Sequence, residues 1–140
     1  MSFEVEKDWV TRAGLRAVVI MNDSSGSRCG YVGIEKSHPL FGVSYHEETR
    51  VLKTNLHDLD SPASFFEVHG GLTYSGSGGE YPVPSELHWF GYDCEHAGDI
   101  PKPGSAMWRL YRDYEGVHRT LDYCIDECES LAQQLVKVRP

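Results

Sequence analysis

"LDYCIDECESLAQQL", Leu121–Leu135, is the stretch that decides the fold class. Val117, Leu121, Cys124, Ile125, Cys128, Leu131, Ala132 and Leu135 recur at spacings of three and four. That is one apolar stripe at the helical period. Asp122, Asp126, Glu127, Glu129 and Gln133 take the other faces. Acidic residues crowd the first half, and Lys137 and Arg139 close the end, placements that suit the helix dipole. The pattern predicts a helix from about Glu115 to Val138. Cys124 and Cys128 fall within the stripe, where free cysteine acts as a small hydrophobe.

Upstream of this helix the chain reads as strands and loops. "FEVEKDWV" (3–10) alternates apolar and charged residues, a half-buried strand. "LRAVVIM" (15–21) is β-branched and apolar on both faces, which predicts an interior strand. "NDSSGS" is a turn, and "RCGYVGI" (28–34) returns as the other half of a hairpin. Pro39 and Gly42 break the next segment, and 47–64 is weakly patterned, with room for one helical turn or an edge strand. "EVHGGLTYSG" (67–76) reads as a strand with Phe66, Val68, Leu72 and Tyr74 on one face and Phe65, Glu67, His69 and Thr73 on the other. "SGSGGEYPVPS" is a loop, "ELHWFGYD" (86–93) an aromatic strand, and "HAGDIPKPGS" a second loop. The expectation is a single α+β domain over 1–140, an antiparallel sheet packed against one long C-terminal helix.

Composition restricts the function classes. The chain has 140 residues, 13 basic and 21 acidic, for a formal charge of −8. Direct nucleic-acid binding is disfavoured, because phosphate contact needs a basic footprint. The start is charged from the fourth residue and predicts no secretory signal. The longest apolar run is far too short to span a bilayer. A cytoplasmic protein without a membrane partner is expected, with four reduced cysteines and no structural disulfide.

Two stretches carry residues suited to chemistry. In "EVHGGLTYSG" the alternation puts Glu67 beside His69, with Gly70-Gly71 marking a bulge or a close approach by another group. In "WFGYDCEHAGD" (89–99), Asp93, His96 and Asp99 lie where a strand gives way to a loop. Asp, His and Asp at that spacing can bind a divalent metal or act as acid and base. The candidate ligand-binding set is therefore Glu67, His69, Thr73, Trp89, Asp93, His96 and Asp99, with Tyr74, Phe90 and Tyr92 as stacking or supporting aromatics. His69 and His96 are the candidate catalytic bases, and Asp93, His96 and Asp99 the candidate ligands of a divalent metal. A structural zinc on Cys94, His96, Cys124 and Cys128 is the weaker alternative, since two of those cysteines sit in the apolar stripe. Structural alternatives remain open: a bulged strand holding a hydrogen-bonded His69, and a turn capped by Asp99. "SGSGG" and the serines at 24, 25 and 27 lack the context of a phosphate loop or nucleophile elbow. His46–Glu48 reads as a solvated patch. Arg109, Arg112 and Arg119 read as partners of the acidic surface, with an anion clamp as the alternative.

"GYVGIEKSHPLFGVSY", "EVHGGLTYSG", "WFGYDCEHAGD" and "DYCIDECESLAQQL" together resemble a family of small uncharacterised proteins of tailed bacteriophages and prophages. The likeness covers most of residues 30–135 and leaves the first 28 outside. It implies expression in the cytoplasm of an infected bacterium. By analogy with small accessory phage proteins it implies a part in countering host antiviral defence. Three functions are compatible with the residues. One is binding of a small polar, nucleotide-like ligand. Another is metal-assisted hydrolysis by the same histidines and aspartates. The third is an acidic interaction protein, an inhibitor or nucleic-acid mimic, that blocks a host defence protein through surface acids such as Glu127 and Glu129.

Overall fold

The computed structural model describes residues 2–56 and 58–140. Five strands form one antiparallel sheet: β1 (Phe3–Val10), β2 (Arg16–Asn22), β3 (Ser27–Ile34), β4 (Tyr74–Ser77) and β5 (His88–Asp93). Their order across the sheet is β1-β2-β3-β5-β4. Two single-turn helices, α1 (Pro62–Phe65) and α2 (Trp108–Tyr111), lie in the connections, and one long helix, α3 (Leu121–Val136), ends the fold. This is the α+β arrangement expected from the apolar stripe. Among the described residues, no helix is long and apolar enough to cross a membrane.

The alternation of each strand sorts its side chains into two layers. Ala17, Val19, Val32, Ile34, Phe90 and Tyr92 meet the stripe of α3, where Cys124, Cys128, Leu131, Ala132 and Leu135 are all buried. On the other face, Val18, Ile20, Tyr31 and Trp89 are covered by Val83, Tyr81 and Leu87 from the loop before β5. β2 is thus apolar on both sides because both sides are covered. The glycines inside β3 and β5 answer the tyrosines opposite them. Gly30 pairs with Tyr92 and Gly91 with Tyr31. A Cβ at either glycine would lie within about 2.5 Å of the facing ring, so neither position has room for a side chain.

Two sequence expectations are corrected here. The helix begins at Leu121 rather than near Glu115. Thr120 caps it, its hydroxyl accepting the Tyr123 amide at 3.1 Å. The preceding residues are used otherwise: Val117 bridges to Asp99, and Arg28 donates to the Arg119 carbonyl at 2.9 Å. The second correction concerns "EVHGGLTYSG". Only its end, from Tyr74, is strand; Phe66–Thr73 is irregular. At Glu67 and His69 its main chain bonds to helix side chains instead of a neighbouring strand. Gln134 exchanges two 2.8 Å bonds with the amide and carbonyl of Glu67, and Glu127 accepts the His69 amide at 2.7 Å. Phe66 and Leu72 still reach the core under α3, but Tyr74 packs in the opposite layer, against Tyr31 and Tyr81.

Candidate functional site

The irregular segment 66–73, the loop after β5 and the first turn of α3 meet at one edge of the sheet. Asp99 lies at the centre, its side chain only 1% exposed. Its Oδ2 is 2.7 Å from His69 Nε2 and accepts the His96 amide at 3.1 Å. Its Oδ1 accepts from Arg119 Nε at 2.8 Å. His69 Nδ1 is in turn 2.8 Å from the Tyr123 hydroxyl, and the Arg119 guanidinium stacks over the Tyr123 ring. The result is a continuous chain, Arg119–Asp99–His69–Tyr123. Burial pushes the Asp99 carboxyl upward, but the hydrogen bonds from His69, Arg119 and the His96 amide outweigh it. The net shift is downward from the ordinary 3.8. Asp99 is the anion that holds this corner together.

His96 stands beside the chain. Its Nδ1 lies 3.3 Å from Asp93 Oδ1 and 4.0 Å from Asp99 Oδ2. That nitrogen is buried and makes no hydrogen bond among the described residues. Thr73 donates to the other oxygen of Asp93 at 3.0 Å. The question raised by Gly70-Gly71 is answered by the His96 ring. Gly70 has φ +67°, and a Cβ there would come within 2.4 Å of His96 Cε1 and Nδ1, whereas a Cβ on Gly71 (φ +80°) would meet nothing within 4 Å. The pair is a turn closed by the Gly71 amide on the Val68 carbonyl, and its first glycine leaves room for an imidazole. Alanine at either position carries the left-handed backbone cost, about 1–2 kcal/mol. Gly70→Ala is expected to cost about 1 kcal/mol more than Gly71→Ala in chemical unfolding and to displace the His96 ring signals in NMR spectra. Equal costs would mean that the ring does not rest on residue 70.

A cavity of about 80 Å³ adjoins the cluster, lined among others by Ser25, Ser27, Glu95, His96, Asp99 and Tyr111. The structure therefore brings His69, Asp93, His96 and Asp99 together, with Thr73 at the margin. It does not bring Glu67 or Trp89 to the site. Glu67 is exposed and makes none of the cluster's contacts. Trp89 is fully buried in the opposite layer, its indole bonded to Ser85 at 2.9 Å. Tyr74 lies in that same layer, and Phe90 and Tyr92 belong to the core beneath α3. None of these aromatics lines the cavity; Tyr111 does. The reason is strand parity: Trp89 and Phe90 point to opposite faces, and both faces are filled.

Arg119 and Tyr123 are the residues that sequence reading did not assign to the site. Arg119 was legible only as one of three basic residues before the helix. Tyr123 stands out in the sequence only as a polar-tipped aromatic in the first turn. Two other acids of the helix, Glu127 and Glu129, are also committed. Glu129 accepts from the Trp9 indole at 2.8 Å and the Arg12 amide at 3.0 Å, and Glu127 holds His69. They are structural partners rather than a free acidic face.

The cysteines do not form the alternative zinc set. All four are free thiols. Cys94 Sγ is 3.7 Å from Cys124 Sγ, and Cys128 contacts the Tyr92 hydroxyl. Burial pushes the Cys128 thiol up to about 12, which opposes the thiolate a metal needs. One group of three potential ligands is present among the described residues: His69, His96 and Asp99, with ligand atoms within 4.8 Å of one another. The chain matches no protein-family model, no curated protein and no solved structure.

Proposed function

We propose that this chain is a phage accessory protein of the infected cell's cytoplasm that binds a small polar, nucleotide-like ligand, to the detriment of host antiviral defence. One observation carries the reading. A cavity opens where the β2–β3 turn and the long connection from β5 to α3 deliver hydroxyl, carboxylate, imidazole and phenol groups to one point, the mix of convergent polar groups and apolar wall expected of a ligand site. Its volume of about 80 Å³ takes part of a nucleotide, not the whole. The lining carboxylates, Glu95 and Asp99, favour hydrogen-bond donors and disfavour phosphate. The inserted part is therefore a ribose diol or the amine edge of a base, with Tyr111 beside it and the phosphates outside.

The test is thermal unfolding with nucleosides and with linear and cyclic nucleotides. A ligand present at about 100 times its dissociation constant adds about 2.7 kcal/mol and raises Tm by about 10 °C. The rise is expected to vanish in Glu95→Lys, which reverses a charge on the cavity wall. The absence of any shift across these ligand types would sink the proposal. Ligand recovered intact after denaturation supports sequestration; a converted product favours hydrolysis at the same residues.

A further inference from the structure

We propose that His69, His96 and Asp99 form a binding site for one divalent first-row transition metal ion. The donor set is two imidazole nitrogens and one carboxylate oxygen. Hard cations such as magnesium and calcium take oxygen shells; two imidazoles with one carboxylate suit zinc or ferrous iron. Three protein ligands leave coordination positions open. His96 and Asp99 both line the cavity, so an ion between them borders it.

The three ligand atoms lie within 4.8 Å of one another, close enough for one ion to join them after a shift of the rings. Zinc holds nitrogen and oxygen at about 2.0–2.2 Å, which puts neighbouring ligand atoms roughly 3–3.5 Å apart. Here one separation is shorter, 2.7 Å for His69 Nε2 to Asp99 Oδ2, and one longer, 4.0 Å for His96 Nδ1 to Asp99 Oδ2. An ion would replace the proton in the first and draw the His96 ring inward. His96 Nδ1 is the independent sign. It is buried without a hydrogen bond among the described residues, an arrangement that costs free energy unless something else binds it.

The groups behind the ligands are the ones a metal site uses. Metal-bound histidine normally gives its second N–H to an acceptor, which fixes the ring. His69 Nδ1 has the Tyr123 hydroxyl at 2.8 Å for this. The second oxygen of Asp99 is held by Arg119 at 2.8 Å. Asp93 Oδ1, 3.3 Å from His96 Nδ1, adds a negative charge that offsets Arg119.

The site is shared with the ligand reading, but the two stand separately, because the metal can be titrated alone. Purified protein stripped with chelator is titrated with zinc by calorimetry and with cobalt(II) by absorption. One equivalent should bind, without the charge-transfer bands of cobalt–thiolate bonds. His96→Ala and His96→Gln, each shown to be folded by circular dichroism, should weaken zinc binding by about tenfold or more, and Tyr123→Phe by about tenfold. His46→Ala, an exposed histidine elsewhere, should bind as the parent does. No zinc binding by the parent, thiolate bands, or a loss below tenfold in both His96 variants would overturn the proposal. Nucleotide binding by the stripped protein would leave the ligand reading intact whatever the zinc result.

Discussion

Replacing Asp99 with alanine is expected to destabilise the protein by about 3 kcal/mol in chemical unfolding. Breaking a buried ion pair from one side costs about 3–5 kcal/mol, because the partner is left without its counter-charge. The lower figure applies because Arg119 is 25% exposed and can turn to water. The damage spreads over three segments. Arg119, His69 and the His96 amide all lose their acceptor, so the loop after β5, the segment 66–73 and the entry to α3 loosen together. Asp99→Asn keeps the shape and one acceptor and should cost about half as much. The pH dependence gives a second readout. The folded carboxyl lies below its ordinary 3.8, so the unfolded chain binds more protons in that range and stability rises with pH. The contribution of Asp99 is full above the ordinary value and is lost as pH falls through the lowered one. The gap between parent and Asp99→Asn should therefore close as pH falls below about 4. A gap that stays constant down to about pH 2.5 would refute the charge assignment.

Trp89→Ala is expected to cost about 3–5 kcal/mol, the range for emptying a fully buried large aromatic site, yet to leave the metal and ligand sites intact. Trp89 has no exposed surface and packs with Val18, Ile20, Tyr31 and Val83 on the face of the sheet away from α3. Its indole also holds Ser85, so the covering loop loses an anchor as well as a wall. If the alanine variant fails to fold, Trp89→Phe carries the second half of the test. It should lose about 1–2 kcal/mol, from the indole hydrogen bond and a fraction of the volume, and bind zinc as the parent does. Zinc affinity reduced by about tenfold in a folded Trp89→Phe would mean that the two layers are coupled, contrary to their separation here.

The comparison of Trp89 with His96 shows where sequence reading reaches its limit. Period-2 alternation identifies two faces of β5 but not what covers each one. A face left open would have made Trp89 a stacking platform; the loop with Tyr81 and Val83 closes it. "EVHGGLTYSG" fails for a related reason. Its alternation is real, and Phe66 and Leu72 are buried as the pattern implies. The main-chain hydrogen bonds of Glu67 and His69 nevertheless go to Gln134 and Glu127 of α3. Both partners lie more than 50 residues away, and no local pattern contains them.

The sequence by itself determined the α+β class, the apolar stripe of α3, the hairpin of β2 and β3, and the two motifs that hold the histidines. These follow from periodicity and turn chemistry, which act over a few residues. Only the tertiary structure decided that His69, His96 and Asp99 converge, that Arg119 and Tyr123 complete the cluster, and that Glu67 and Trp89 stand outside it. Convergence depends on how far each loop travels before it closes, and that is set by packing across the core. Gly70 joins the two levels: the sequence shows a glycine where a side chain is expected, and the fold shows the imidazole that occupies the space.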